Sequence, residues 1–246
     1  MLLLSILKLL FVTLNTLVTA PLIALIAMRD ERASYGLCQG WARRNLLACG
    51  VRVRTRRLAP LDPSQPYVFM SNHRSQFDIL ALVAALPEFQ LRWVAKKELE
   101  RIPVFGWALR RAGHIIIDRS NHAQAVATLN AAREKMARGI SVMIFPEGTR
   151  ALPGDDLLPF KKGGFMLALE TGFPIVPIVV RGSADVLPSH SWQARAGTID
   201  VVVGAPIAAA GVERDELMRR VAAFMREHGA AEVIDGRPRL VRAEAV

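Results

Sequence analysis

Residues 1–28 form an almost unbroken apolar run, interrupted by Lys8, Pro21 and a few Ser, Thr and Asn side chains. As one helix the run extends about 42 Å, longer than the roughly 30 Å hydrocarbon core of a bilayer. Pro21 can kink or divide it, so a single tilted span and a hairpin-like insertion into one leaflet both stay open. A cleaved signal peptide fits less well, because that pattern wants its positive charge before the apolar run and a small-residue cleavage site after it.

Directly after the run come Arg29 and Arg32, then Leu37 and Trp41 among Arg43 and Arg44, then Arg52, Arg54, Arg56 and Arg57. The spacing suits a helix lying on a membrane with arginines at headgroup level, and the arginine density places the rest of the chain on the cytoplasmic face of the cell membrane. An ordinary amphipathic helix packed on the following domain is the alternative. Residues 1–50 are therefore expected to be the membrane-anchoring helices. The 246 residues carry 32 Lys plus Arg against 22 Asp plus Glu, a net charge of +10, and only six of the basic residues are lysine. Arginine's planar fork suits phosphate, so the charge points to anionic lipid, nucleic acid or phosphorylated substrates. An apolar content of 52 % excludes a disordered chain. Cys38 and Cys49 form no Cys-x-x-Cys pair and suggest neither a zinc site nor a redox dithiol.

Beyond residue 50 short apolar runs alternate with amphipathic segments, the pattern of an α/β domain with a mainly parallel or mixed central sheet of about seven strands flanked by helices. Strands are predicted over 51–55, 67–70, 91–95, 114–118, 141–145, 175–180 and 198–203, and helices over 77–86, 104–111, 123–138, 164–170 and 214–227. Asn121 is a candidate cap for the 123–138 helix and Gly139 its terminator. Pro174 and Pro177 suggest that the 175–180 strand lies at an edge or starts irregularly. The α/β domain is expected to span 51–228, with 229–246 as a loose tail.

The run Tyr67-Val68-Phe69-Met70 ends in Ser71-Asn72-His73-Arg74-Ser75-Gln76-Phe77-Asp78. On one continuous helix His73 and Asp78 would stand about 140° apart. With the strand ending at Asn72, His73 falls in the turn and Asp78 in the first helical turn, where a carboxylate can accept from the imidazole, in the crevice where open α/β sheets bind ligands. A histidine oriented in this way is a general base. No Gly-x-Ser-x-Gly elbow supplies an internal nucleophile, which leaves a substrate hydroxyl. A second strand ends in Phe145-Pro146-Glu147-Gly148-Thr149-Arg150. There Gly148 permits close backbone approach, Thr149 and Arg150 can hold an oxyanion, and Glu147 can orient Arg150 or touch substrate hydroxyls. Lys96 and Arg119 each follow an apolar strand and can converge with Arg150 on one phosphate. His114 and Asp118 read as a core strand and a turn.

The ordered set Asn72-His73-x-x-x-x-Asp78, Lys96-Lys97-Glu98-Leu99 through Ile102-Pro103 to Ile117-Asp118-Arg119, Phe145 to Arg150, and Val176-Pro177-Ile178 resembles the 1-acyl-sn-glycerol-3-phosphate acyltransferase family over roughly residues 60 to 205. A lone His-x-x-x-x-Asp is cheap, but four motifs in this order are specific. The resemblance implies transfer of a fatty acyl group from acyl-CoA or acyl carrier protein to lysophosphatidic acid, giving phosphatidic acid without an acyl-enzyme. It makes His73 the base and Asp78 its positioner, and assigns substrate contacts to Asn72, Lys96, Arg119, Glu147, Gly148, Thr149 and Arg150. Gln76 and Phe77 stand where other members often carry small or aromatic residues, which bears on selectivity. No cofactor is implied, and the His/Asp pair offers two metal ligands where zinc uses three or four. Membrane lipids are expected partners. The same chemistry on another acceptor, such as a lyso-ornithine lipid, stays open. Nucleic acid is not expected as a partner, since no recognition helix or interleaved aromatic surface is present.

Overall fold

The computed structural model describes residues 2–117, 122–152, 156–189 and 191–229, with the backbone alone for residues 2 and 122–127. Residues 230–246 of the predicted tail, Asp118, Arg119 and Asn121 lie outside the described residues.

The apolar run is one helix, α1 (Leu2–Ala27), continuous through Pro21. A short turn leads into α2 (Glu31–Cys49), whose N-terminus is capped by Asp30 accepting from Arg32 N and Ala33 N and whose C-terminus closes on left-handed Gly50. The few polar residues of α1 are what join the two helices. Asn15 Nδ2 donates to Asn45 Oδ1 at 2.8 Å, Trp41 Nε1 donates to Thr16 Oγ1 at 2.9 Å, and Arg44 reaches Asn15 and Thr19. The opposite side of α1 is bare. Leu3, Leu7, Leu10, Leu14 and Leu17 are all more than half exposed. Over Leu3–Ala27 the helix is long and apolar enough to cross a membrane.

The remaining chain builds a seven-stranded mixed sheet. In chain order the elements are β1 (Val51–Arg57), β2 (Val68–Ser71), α3 (Phe77–Ala85), β3 (Leu91–Lys96), a 3₁₀ turn (Lys97–Arg101), α4 (Phe105–Arg111), β4 (Ile115–Ile117) and α5 (His122–Ala137). There follow β5 (Ser141–Ile144), α6 (Gly163–Thr171), β6 (Ile175–Arg181), the single turn α7 (Ser183–Val186), β7 (Gly197–Val203) and α8 (Arg214–Glu227). The spatial order is β1-β7-β6-β2-β5-β3-β4, all neighbours parallel except β6 and β7. Five parallel strands therefore end on one side of the sheet, and the two motif-bearing ones, β2 and β5, are direct neighbours at its centre.

Strand residues alternate between two cores. Tyr67, Phe69, Trp93, Met143, Val176 and Ile178 join α2 and α3 on one face. Val68, Met70, Val142, Ile144, Ile175 and Val179 join α5, α6 and α8 on the other. A sheet covered on both faces explains why these strands read as continuous apolar runs. Below the first face α2 is tied down by ions. Buried Arg92 of β3 donates Nε to Glu31 Oε1 (3.0 Å), and Lys135 of α5 donates to the same oxygen (2.8 Å).

The prolines do not put β6 at an edge. It lies between β7 and β2, and Pro177 is accommodated because the antiparallel register with β7 stops at Ile178↔Val203. Beyond that point Pro177 needs only its carbonyl, which accepts from Gly204 N at 2.9 Å. His114 stands just before β4, partly buried, with Nδ1 accepting from Trp93 N at 3.2 Å.

Candidate active site

β2 ends at Ser71 and α3 starts at Phe77, so residues 72–76 make the tight connection in which the first motif lies. The fully buried Asp78, in the first turn of α3, gathers that connection through one oxygen. Its Oδ2 accepts from Arg74 N (2.7 Å), Ser75 N (2.8 Å) and His73 Nδ1 (2.8 Å). A carboxylate on Nδ1 fixes the imidazole tautomer and leaves Nε2 as the nitrogen able to take a proton from a substrate. Ser75 Oγ accepts from Phe77 N and donates to Leu187 O, anchoring the turn to the segment after α7.

The neighbouring strand supplies the other wall. Phe145, the first residue after β5, stacks on the His73 ring with centroids 3.9 Å apart and planes 8° from parallel. Trp93 of β3 lies behind Phe145 at 5.6 Å. Nothing about Phe145 beyond its place at the head of the second motif suggested this contact in the sequence. The turn that follows takes Gly148 at φ 76°, the left-handed region that favours glycine.

Two expected substrate contacts have other partners. Asn72 is fully buried and clamps β6, donating Nδ2 to Val180 O (2.9 Å) and accepting from Val180 N (2.8 Å). Glu147, 2 % exposed, accepts from His73 N through Oε1 (3.0 Å) and from Leu158 N through Oε2 (3.0 Å). Burial pushes its carboxyl above the usual value, against the pull of those two N–H donors. Neither residue lines the cavity described next.

His73, Lys96, Gly148, Thr149 and Arg150 all line one cavity of about 690 Å³. Its other walls are mostly apolar: Leu9, Val12 and Ile23 of α1, Trp41 of α2, Trp93 of β3 and Phe105 of α4 among them. The α1 contributors recur at helical spacing on one stripe, so that helix turns one face to the cavity and another outward. The sequence marked α1 only as a membrane element, and its place in the wall of the site was not legible there. The geometry offers a base at the mouth of an apolar chamber, with cationic and hydroxyl groups beside it. This can bind an amphiphile with an anionic head and deprotonate a hydroxyl between head and tail.

The profile of the Acyltransferase family matches residues 51–181, more than half of the chain. The chain belongs to this family. The human 1-acyl-sn-glycerol-3-phosphate acyltransferase alpha is 36 % identical over 169 residues, 68 % of this chain and 58 % of the relative. A 1-acyl-sn-glycerol-3-phosphate acyltransferase of Helicobacter pylori is 40 % identical over 123 residues, half of this chain and 52 % of the relative. The chain thus spans less than two thirds of these relatives. The crystal structure of the 1-acyl-sn-glycerophosphate (LPA) acyltransferase PlsC from Thermotoga maritima superposes with a TM-score of 0.72 at 23 % identity, covering 95 % of this chain and 98 % of that one. That likeness establishes the acyltransferase fold, apolar N-terminal helix included. Of the motif residues described above, those at 118 and 119 lie outside the described residues, and the others lie on or directly after β2, β3, β4, β5 and β6.

Proposed function

We propose that this acyltransferase-family chain moves a fatty acyl group from an acyl thioester, on coenzyme A or acyl carrier protein, to the sn-2 hydroxyl of 1-acyl-sn-glycerol-3-phosphate, giving phosphatidic acid. The observation that carries the reading is the His73–Asp78 pair, 2.8 Å apart, at a 690 Å³ apolar cavity shared with Lys96, Thr149 and Arg150. In the reaction Nε2 of His73 takes the proton of the acceptor hydroxyl while the oxygen attacks the thioester carbonyl. The tetrahedral intermediate collapses with cleavage of the C–S bond, and the imidazolium proton goes to the departing thiolate. Asp78 holds the tautomer and stabilises the imidazolium. Lys96 and Arg150 grip the phosphate, with Arg119 assigned to the same anion, Gly148 and Thr149 shape the turn, and the apolar walls take the acyl chain. Asn72 and Glu147 act at one remove, by holding the backbone around His73. The N-terminal helix anchors the enzyme on the cytoplasmic face of the membrane, where a lysophospholipid acceptor stays.

The test is turnover of purified protein with lysophosphatidate and each thioester donor. His73→Ala is expected to lose about 10²–10⁴-fold in kcat, the usual contribution of a general base. Arg150→Ala is expected to raise KM for lysophosphatidate with the donor KM kept. Equal rates for wild type and His73→Ala would remove the proposed base. A full rate on a lysolipid that lacks a phosphomonoester would redirect the acceptor.

A further inference from the structure

The bare face of α1 is not the only exposed apolar surface near the site. Ile102, Leu152 and Trp192 are 47 %, 50 % and 82 % exposed and belong to three separate connections on the side where the parallel strands end. Leu152 follows the second motif. Its carbonyl accepts from Arg74 Nη1 at 3.0 Å, and the preceding Ala151 N donates to His73 O at 2.9 Å. Ile102 lines the same cavity as His73 and Arg150. Two residues on, half-exposed Val104 is held at φ 64° and ψ −52°, a γ-turn conformation that β-branched residues rarely adopt. Trp192 belongs to the segment that begins at Leu187, whose carbonyl accepts from Ser75 Oγ, and two residues past the tryptophan Ala194 O accepts from Ser5 Oγ of α1 at 3.4 Å. Leu187 thus touches the site and Ala194 the apolar helix. Exposed cations accompany the segment: Arg195 follows Ala194, and Lys161 and Lys162 stand where Lys161 N donates to Pro146 O of the second motif.

We propose that this rim is a second membrane-contacting surface, separate from the bare face of α1, which seats the mouth of the cavity on an anionic bilayer with Trp192 as its interfacial anchor. Exposed apolar side chains with exposed cations on the same side of the sheet match the layering of a leaflet, acyl chains beneath anionic headgroups. A tryptophan has the amphipathic ring that prefers the boundary between the two. Continuity with α1 through Ser5 lets both surfaces meet one leaflet. The inference rests on the proposed reaction for the reason why the mouth should face lipid, and on its own contacts for the surface itself.

The binding test uses the full chain on phosphatidylcholine/phosphatidylglycerol vesicles with brominated acyl chains, which quench nearby tryptophans. Trp41, Trp93 and Trp107 are present in both wild type and Trp192→Phe. Both are expected to show the quenching that Trp41 contributes, with a larger bromine-dependent loss in wild type than in the variant, and equal quenching in the two overturns the proposal. The activity test compares Trp192→Ser/Leu152→Ser with wild type on bilayer-presented lysophosphatidate and on a monomeric short-chain acceptor. A loss of about tenfold in kcat/KM, about 1.4 kcal/mol, confined to the bilayer supports the rim. A loss equal in both presentations, or in neither, overturns it. If wild type transfers no acyl group in either, the proposed reaction fails, and the quenching result still decides the rim.

Discussion

At His73 the side chain and the main chain are held by different carboxylates. Asp78 takes the ring nitrogen and two following N–H groups, while Glu147, 74 residues away, takes the histidine's own N–H. Glu147 thereby couples the first motif to the 156–160 segment through Leu158 N. A glutamine keeps the shape but presents an NH₂ group to one of two N–H donors, leaving that donor unpaired at a cost of about 1–3 kcal/mol. Glu147→Gln is expected to lower kcat and the melting temperature while leaving KM for the acceptor near wild type, measured by steady-state kinetics and thermal unfolding. A raised acceptor KM with unchanged kcat would instead make Glu147 a substrate contact. The His73–Asp78 pairing was legible in the sequence because a five-residue spacing over a strand-to-helix turn brings the two together locally. The duties of Glu147 and Asn72 were not, because their partners Leu158 and Val180 reach them only through the fold.

At the scale of elements, the junction of α2, β3, β4 and α5 is built around buried charge. His114 is partly buried there, and its desolvation, helped by the nearby Arg92 and Lys135 cations, lowers its pKa from 6.5 to about 3. The folded value lies below the unfolded one, so the neutral ring contributes stability above about pH 6.5, and that contribution is lost as the pH falls toward 3. Denaturant unfolding at stepped pH is expected to show a decline across that window, on the order of 4 kcal/mol by its lower limit. His114→Gln, whose amide oxygen can still accept from Trp93 N, is expected to flatten it, and an unchanged slope would assign the decline to other groups. Periodicity located most elements to within a few residues. It missed α7, a single turn whose helical spacing is too short to register, and of the two readings for β6 the edge position fails while the irregular start holds, with Ile175 bridging Ile207 before the ladder with β7 begins. The proline rule is sound, but where the partner strand runs out is a property of the pairing and not of the strand.

For the whole molecule, α1 serves two surroundings at once. One stripe walls the cavity and another is bare. A charge on the bare stripe should cost membrane affinity without touching the site. Leu14, 53 % exposed, is such a position. Leu14→Asp is expected to weaken vesicle co-sedimentation by up to about 3 kcal/mol per charge placed in hydrocarbon, with turnover on a monomeric acceptor retained. Undiminished sedimentation would place that stripe outside the hydrocarbon.

By itself the sequence determined the local facts: an apolar helix too long for a small core, alternating strands and helices, and the turns that carry His73, Asp78 and Arg150. These follow from composition and short-range periodicity, which act within a few residues. Only the tertiary structure decided that β2 and β5 are neighbours, that Phe145 covers His73, that Glu147 and Asn72 brace the backbone, and that the apolar N-terminal helix is also a wall of the site. Those outcomes depend on packing between segments far apart in the chain, where burial and hydrogen-bond satisfaction of the whole sheet choose the partners.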